Sequence, residues 1–138
     1  MAKDKYHHIF IEALIKVGWK ITHDPYKIML GRRKGYIDVG AERLVIGAEK
    51  GNEKIAVEIK SFLGKSDLYQ LEDALGQFLI YWLALEKKEP DRVLYLAMPE
   101  TVYNNLFDDS FFIELRERFG LKIITFDETE ANIKQWIN

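Results

Sequence analysis

The chain has no cysteine. That excludes disulfides, thiolate metal sites and a cysteine nucleophile, and it fits a cytoplasmic location. Only three prolines occur, and two of them mark breaks, a turn at Asp24-Pro25 and a strand end at Pro99. No apolar run approaches the ~20 residues of a membrane helix, and the N-terminus lacks the apolar core of a signal peptide. A membrane partner is therefore not expected. A large positive charge is also missing: the net charge is −2, which argues against general avidity for nucleic acid. The chain has no Walker-type phosphate loop, no dinucleotide fingerprint and no serine nucleophile elbow. It has no repeat, low-complexity tract or linker, so residues 1–138 read as one domain.

What is present is an ordinary globular composition, 48% hydrophobic and 30% charged, in a length that supports a proper core. Charge is unevenly spread. Residues 1–35 hold eight Lys/Arg against Asp4, Glu12 and Asp24, whereas residues 100–138 hold eight acids against Arg116, Arg118, Lys122 and Lys134. The basic end can meet phosphates while the acidic end meets water or a protein.

Periodicity predicts a first helix over 4–17, with Phe10, Ala13, Leu14 and Val17 on one side and Gly18 ending it. Residues 19–30 read as extended chain broken at Asp24-Pro25, and Gly31 to Gly35 as a basic turn. Short strands follow near 36–39, 44–48 and 54–60, the last two joined by a turn at Lys50-Gly51-Asn52-Glu53. The longest helix is expected over 67–87, with Asp67 and Gln70 as a capping box and an apolar stripe of Leu68, Leu71, Leu75, Phe78, Trp82 and Leu85. A strand over 92–98, helices over 100–107 and 110–118, a strand over 121–126 and a last helix from Asp127 to 136 complete the order αββββαβααβα. The fold class is α/β, with helices sandwiching a mixed sheet.

Within this frame Ile55-Ala56-Val57-Glu58-Ile59-Lys60 stands out. Side chains alternate along a strand, so Ile55, Val57 and Ile59 share one face while Glu58 and Lys60 share the other. An acid–x–lysine pair alone is usually a solvated edge. Here Val57 and Ile59 read as core, and Ser61, Gly64 and a long helix follow. Asp38, set between Ile37 and Val39, is a costly acid unless paired or metal-bound. Asp38 and Glu58 with the Ile59 carbonyl are candidate ligands for a divalent metal, and Lys60 is placed to stabilise a phosphate under attack.

Spacing constrains that reading. A hairpin centred on Gly51-Asn52 sets Val45 opposite Glu58, so Asp38 reaches the pair only if the chain kinks near Gly40-Ala41. Glu49 is a rival carboxylate on the same hairpin. Glu12, on the first helix, is a candidate additional carboxylate. Gln77, on the long helix with Gln70 seven residues back on the same face, is a candidate to hold substrate or a metal-bound water. Lys27 with Arg32, Arg33 and Lys34 forms a candidate DNA-phosphate patch just before Asp38.

The order of helix, Asp38, Glu58-Ile59-Lys60 and a long helix bearing Gln77 resembles the PD-(D/E)xK nuclease superfamily. More closely, Gly35-Tyr36-Ile37-Asp38-Val39-Gly40-Ala41-Glu42, Ile55-Ala56-Val57-Glu58-Ile59-Lys60-Ser61-Phe62 and Asp73-Ala74-Leu75-Gly76-Gln77-Phe78 resemble the XisH family, the fdxN element excision controlling factors of cyanobacteria. The resemblance implies a restriction-endonuclease-like fold and a catalytic set of Asp38, Glu58 and Lys60, with Glu12 and Gln77 accessory. It also implies Mg²⁺ (or Mn²⁺) as cofactor, DNA as substrate, and a role in excising a DNA element during heterocyst differentiation beside a small XisI-like partner. Ile37 stands where that superfamily usually has proline.

Three functions compete on this reading: a metal-dependent endonuclease, a non-catalytic regulator that directs a separate recombinase, and an interaction module. The last rests on Tyr103, Phe107, Phe111, Phe112 and Phe119, aromatics that a partner or a homo-oligomer could cover.

Overall fold

A computed structural model of the chain describes residues 3–45, 51–64 and 66–138. The element order is α1 (His7–Lys16), β1 (Lys20–His23), β2 (Tyr26–Leu30), β3 (Arg33–Ile37), β4 (Val39–Arg43), β5 (Glu53–Ile59), α2 (Asp67–Lys88), β6 (Arg92–Pro99), α3 (Glu100–Leu106), α4 (Ser110–Arg118), β7 (Ile123–Asp127) and β8 (Asn132–Ile137). Six strands form a mixed sheet in the order β1-β4-β5-β6-β7-β8, and β2 and β3 form a separate two-stranded sheet. β5, β6 and β7 run parallel to their neighbours in that order; the outer pairings are antiparallel. The fold is therefore mixed α/β.

The central strands are buried on both faces, and the two faces carry separate cores. Val57 and Ile59 meet Phe10 and Leu14 of α1, together with Val39, Ile124 and Phe126. Ala56, Leu94 and Leu96 meet Leu71, Ala74, Phe78 and Leu85 of α2. That division is the one the alternation in β5 dictates. It puts Glu58 and Lys60 on the α2 side.

Several sequence expectations shift. The first helix ends as expected, with Gly18 in the left-handed region at φ +93°. The basic turn is shorter than read: Gly31 and Arg32 alone join β2 to β3, and Arg33–Gly35 already belong to β3. Gly31, at φ +65°, supplies the positive φ such a two-residue loop requires. Ser66, not Asp67, caps α2, its hydroxyl accepting from the Tyr69 N–H at 3.2 Å. Leu68 and Trp82 lie outside the buried stripe of α2, which runs instead through Leu71, Ala74, Phe78, Tyr81 and Leu85.

The last segment is a strand rather than a helix. Asp127 Oδ1 accepts from the Thr129 and Glu130 N–H groups, and Ala131 at φ +54° turns the chain back antiparallel to β7. A bulge in β8 between the Thr125–Gln135 and Phe126–Ile133 pairs lets Ile133 and Trp136, three residues apart, pack on the same core. That three-residue spacing mimics a helix in the sequence. Among the aromatics of the short helices, Phe107 is buried, Tyr103 and Phe112 pack against the core, and Phe111 and Phe119 remain exposed. Among the described residues no helix is long and apolar enough to cross a membrane.

Candidate functional site

The site is built where the chain forks. β3 and β4 are consecutive strands separated by one bent residue, Asp38. β3 turns off to pair with β2, while β4 pairs with β1 and β5. The ladder between β4 and β5 runs from Arg43 opposite Glu53 to Val39 opposite Val57. Asp38 consequently falls opposite Glu58. The expected register of a hairpin centred on Gly51-Asn52 does not hold, since Arg43 already stands opposite Glu53, and the bend lies at Asp38 instead of Gly40-Ala41. Gly40 stays inside β4, where a Cβ would meet the Tyr26 ring at 2.9 Å and His23 at 3.1 Å. The rival Glu49 and most of the expected 44–48 strand lie outside the described residues.

At the fork the Asp38 side chain completes the ladder that the backbone abandons. Its Oδ2 accepts from the Ile59 N–H at 2.8 Å, and its own N–H donates to Glu58 Oε1 at 3.2 Å. The buried Ile59 donor is thereby satisfied. The Lys60 N–H points the other way, to the Ala97 carbonyl at 2.9 Å. Polar groups of successive strand residues alternate in direction, so the Ile59 carbonyl shares the edge that faces Asp38. One oxygen of each carboxylate is thus bonded to a backbone N–H, and the two carboxyl groups lie against one another.

Asp38 and Glu58 are 8% and 7% exposed. Burial pushes the Glu58 carboxyl up to about 8, and the negative charge of Asp38 adds to the effect. Burial also raises Asp38, against the pull of the Ile59 N–H. Two adjacent buried acids of this kind favour either a shared proton or a cation between them. Among the described residues no group of three or more His, Asp or Glu side chains is placed to hold a metal. A cation here would rest on two carboxylates, the Ile59 carbonyl and water. Such a hard-oxygen set suits an ion that keeps part of its water shell.

Lys60 follows Glu58 on the same face and reaches α2, where its Nζ lies 3.1 Å from Asp73 Oδ2. Asp73, Gln77 and Tyr81 recur every four residues along α2, a spacing that aligns them on the helix. Burial pushes the Tyr81 hydroxyl up to about 12, and the charges of Glu58, Asp38 and Asp73 add to it. Gln77 Oε1 and Gln70 Nε2 are buried with no hydrogen-bond partner. An open depression of about 690 Å³, lined by Ser61, Gly64, Gln70 and Asp73 among others, adjoins Lys60. Opposite it, the N-terminal segment seals the strand end: Asp4 Oδ2 accepts from the Ser61 N–H at 2.9 Å. His7, 2% exposed, pairs through Nε2 with Asp24 Oδ1 at 2.8 Å. A cleft of about 290 Å³ separates that pair from Tyr36 and Asp38.

Asp38, Glu58, Ile59 and Lys60 are therefore brought together, and Gln77 lies on the helix that Lys60 touches. Glu12 is exposed on α1. It sits five residues after buried His7, about 140° around the helix, and α1 covers the opposite face of the sheet from Lys60. Lys27, Arg32, Arg33 and Lys34 are all exposed on the β2–β3 hairpin. Residues 26–37 carry these four cations and no acid, and β3 leads directly into Asp38. Sequence reading missed Asp73, Tyr81, Asp4 and the His7–Asp24 pair. Asp73 and Tyr81 had a signal, since they flank Gln77 at four-residue steps; the others are joined only by the tertiary fold.

A family model described as XisH protein matches residues 1–134. A solved structure of an XisH family protein from Nostoc punctiforme PCC 73102 is 41% identical, with a TM-score of 0.86 over 98% of this chain and 100% of that one. The structure of an fdxN element excision controlling factor protein from Anabaena variabilis is 42% identical, with a TM-score of 0.86 over 96% of this chain and 98% of that one. No protein of curated function matches. Matched by the family model over residues 1–134 and more than 40% identical to both solved structures over nearly the whole of each chain, the protein belongs to the XisH family.

Proposed function

We propose that this protein controls the site-specific excision of a DNA element, the fdxN element of its Anabaena relative's name, through a metal-dependent endonuclease site. The fold is then of the restriction-endonuclease-like, PD-(D/E)xK type. The observation that carries the reading is the mutual lock between Asp38 and Glu58, which holds two buried carboxylates side by side next to the Ile59 backbone. Asp38 and Glu58 would hold Mg²⁺, with Mn²⁺ as a substitute. The bound ion would supply an activated water and offset charge on the attacked phosphate. Lys60 directs its ammonium to that phosphate, exchanging Asp73 for the substrate, and Gln77 positions it from α2. The β2–β3 hairpin grips the backbone through Lys27, Arg32, Arg33 and Lys34. A small XisI-like protein is the proposed partner in the cell.

A second reading, a regulator that has kept the nuclease fold without cutting, is favoured by two observations. The acid cluster has two carboxylates rather than three, and Lys60 is already neutralised by Asp73. Calorimetric titration of Mg²⁺ and Mn²⁺ into wild type and Glu58→Ala separates the two. The endonuclease reading expects binding in the wild type that the variant loses, and loss of cellular excision in the Asp38→Ala, Glu58→Ala, Lys60→Ala triple variant. A wild type that binds neither ion, with excision surviving the triple variant, establishes the regulator.

A further inference from the structure

α2 buries one stripe against the sheet and leaves a second apolar stripe bare. Leu79, Ile80 and Leu83 are 60%, 54% and 53% exposed, and Tyr69 and Trp82 beside them are similarly open. Together these side chains present roughly 500–700 Å² of surface, near the upper limit for a bare patch on a monomer and close to the ~800 Å² that each partner buries in a standard interface.

The stripe has an internal two-fold order. Glu72, Gly76, Leu79, Ile80, Leu83 and Lys87 lie on the same outward face and are all exposed. Reflected about the midpoint between Leu79 and Ile80, Leu83 falls on Gly76 and Lys87 falls on Glu72. Among the described residues nothing packs on Gly76: a Cβ there would meet nothing within 4 Å, and its backbone needs no positive φ. Glycine inside a helix costs stability relative to alanine, so a bare, unstrained glycine opposite a leucine is explained by close approach of another helix. Glu72 and Lys87 have no ion-pair partner among the described residues.

We infer that this face is the interface of a two-fold dimer, in which α2 of one copy crosses α2 of a second copy antiparallel. Leu83 of each copy packs over Gly76 of the other, Leu79 and Ile80 meet at the axis, and Glu72 of each copy pairs with Lys87 of the other. The interface is isologous, as a two-fold requires. The opposite signs at its two ends select the antiparallel orientation and a second copy of this chain as the occupant. The inference does not depend on the nuclease reading.

Sedimentation equilibrium of the full chain over a range of concentrations tests it. The wild type is expected at twice the chain mass of 16.2 kDa. Leu83→Glu is expected at the monomer mass with an unchanged circular dichroism spectrum, since Leu83 is exposed. Glu72→Lys sets like charges together and should weaken the dimer about tenfold, and adding Lys87→Glu to it should restore the wild-type dissociation constant. A monomeric wild type at all concentrations overturns the inference, as does a dimer that Leu83→Glu leaves intact. A charge swap that fails to restore association overturns the antiparallel arrangement.

Discussion

Asp38 and Glu58, 20 residues apart in sequence, are locked together. The Asp38 N–H donates to Glu58 Oε1 at 3.2 Å, while Asp38 Oδ2 accepts from the N–H of Ile59, the residue after Glu58, at 2.8 Å. The lock exists because the chain leaves the large sheet at Asp38 while β5 continues, so a side chain takes over a bond that a strand would otherwise make. The acids are fixed before any ligand arrives, which is the preorganisation a metal or phosphate site needs.

Removing that lock has a graded cost. Asp38→Ala leaves the buried Ile59 N–H without an acceptor and should destabilise the metal-free protein by ~1–3 kcal/mol. Asp38→Asn keeps an oxygen for that N–H and should cost less, while still lowering metal affinity. Urea unfolding of the three proteins in chelator reads both effects.

On the endonuclease reading Lys60 serves the reaction and contributes little to the fold. Its ion pair with Asp73 is half open, Asp73 being 56% exposed, so Asp73→Asn should change stability by no more than ~0.5 kcal/mol. Lys60→Met should leave calorimetric metal binding close to wild type and lower DNA cleavage by at least ~100-fold. A matching loss of metal affinity would assign Lys60 to holding the metal site together.

The basic hairpin should set the salt dependence of DNA binding. Each phosphate contact contributes roughly one unit to the slope of log affinity against log salt. Arg32→Ala and Arg33→Ala together should therefore lower the slope by about two and weaken all sequences alike. Fluorescence anisotropy at several salt concentrations measures it. An unchanged slope would move the DNA contact off this hairpin.

Acid stability should be governed in part by Glu89, far from the candidate site. Its carboxylate bonds Arg92 at 2.7 Å, the Tyr26 hydroxyl at 2.7 Å and Lys54 at 3.3 Å. The hydrogen bond from Arg92 leads in holding it down at about 2 against an ordinary 4.5. Because the folded protein binds this proton less readily than the unfolded chain, the stabilisation is complete above pH ~4.5 and is lost as pH falls towards ~2. The shift corresponds to at most ~3.4 kcal/mol. Glu89→Gln should flatten stability against pH in that window and lower it at neutral pH, since Arg92, 5% exposed, loses its counter-ion.

The sequence made the face assignments legible and left the pairings hidden. Alternation in Ile55–Lys60 placed Glu58 and Lys60 together on the side away from Val57 and Ile59, and the structure agrees, because one strand's pleat is a local property. The partner of that strand is not local. The register that sets Asp38 opposite Glu58 depends on where β4 ends, and no turn residue marks it. The last segment, expected as a helix from Asp127, is a strand, and a bulge invisible in the sequence brings Ile133 and Trp136, three residues apart, onto one face. Glu12 and His7 lie on one helix, yet only tertiary packing decides that His7 is buried beside Asp24 and Glu12 faces water.

The decisive measurement is cleavage of duplex DNA by the purified protein with Mg²⁺, Mn²⁺ or chelator, in wild type and in Glu58→Gln. If Asp38 and Glu58 hold a catalytic ion, the wild type nicks or cuts with either ion, does neither in chelator, and Glu58→Gln cuts at least ~100-fold less. Cleavage that persists in chelator, or that Glu58→Gln retains, would contradict that role.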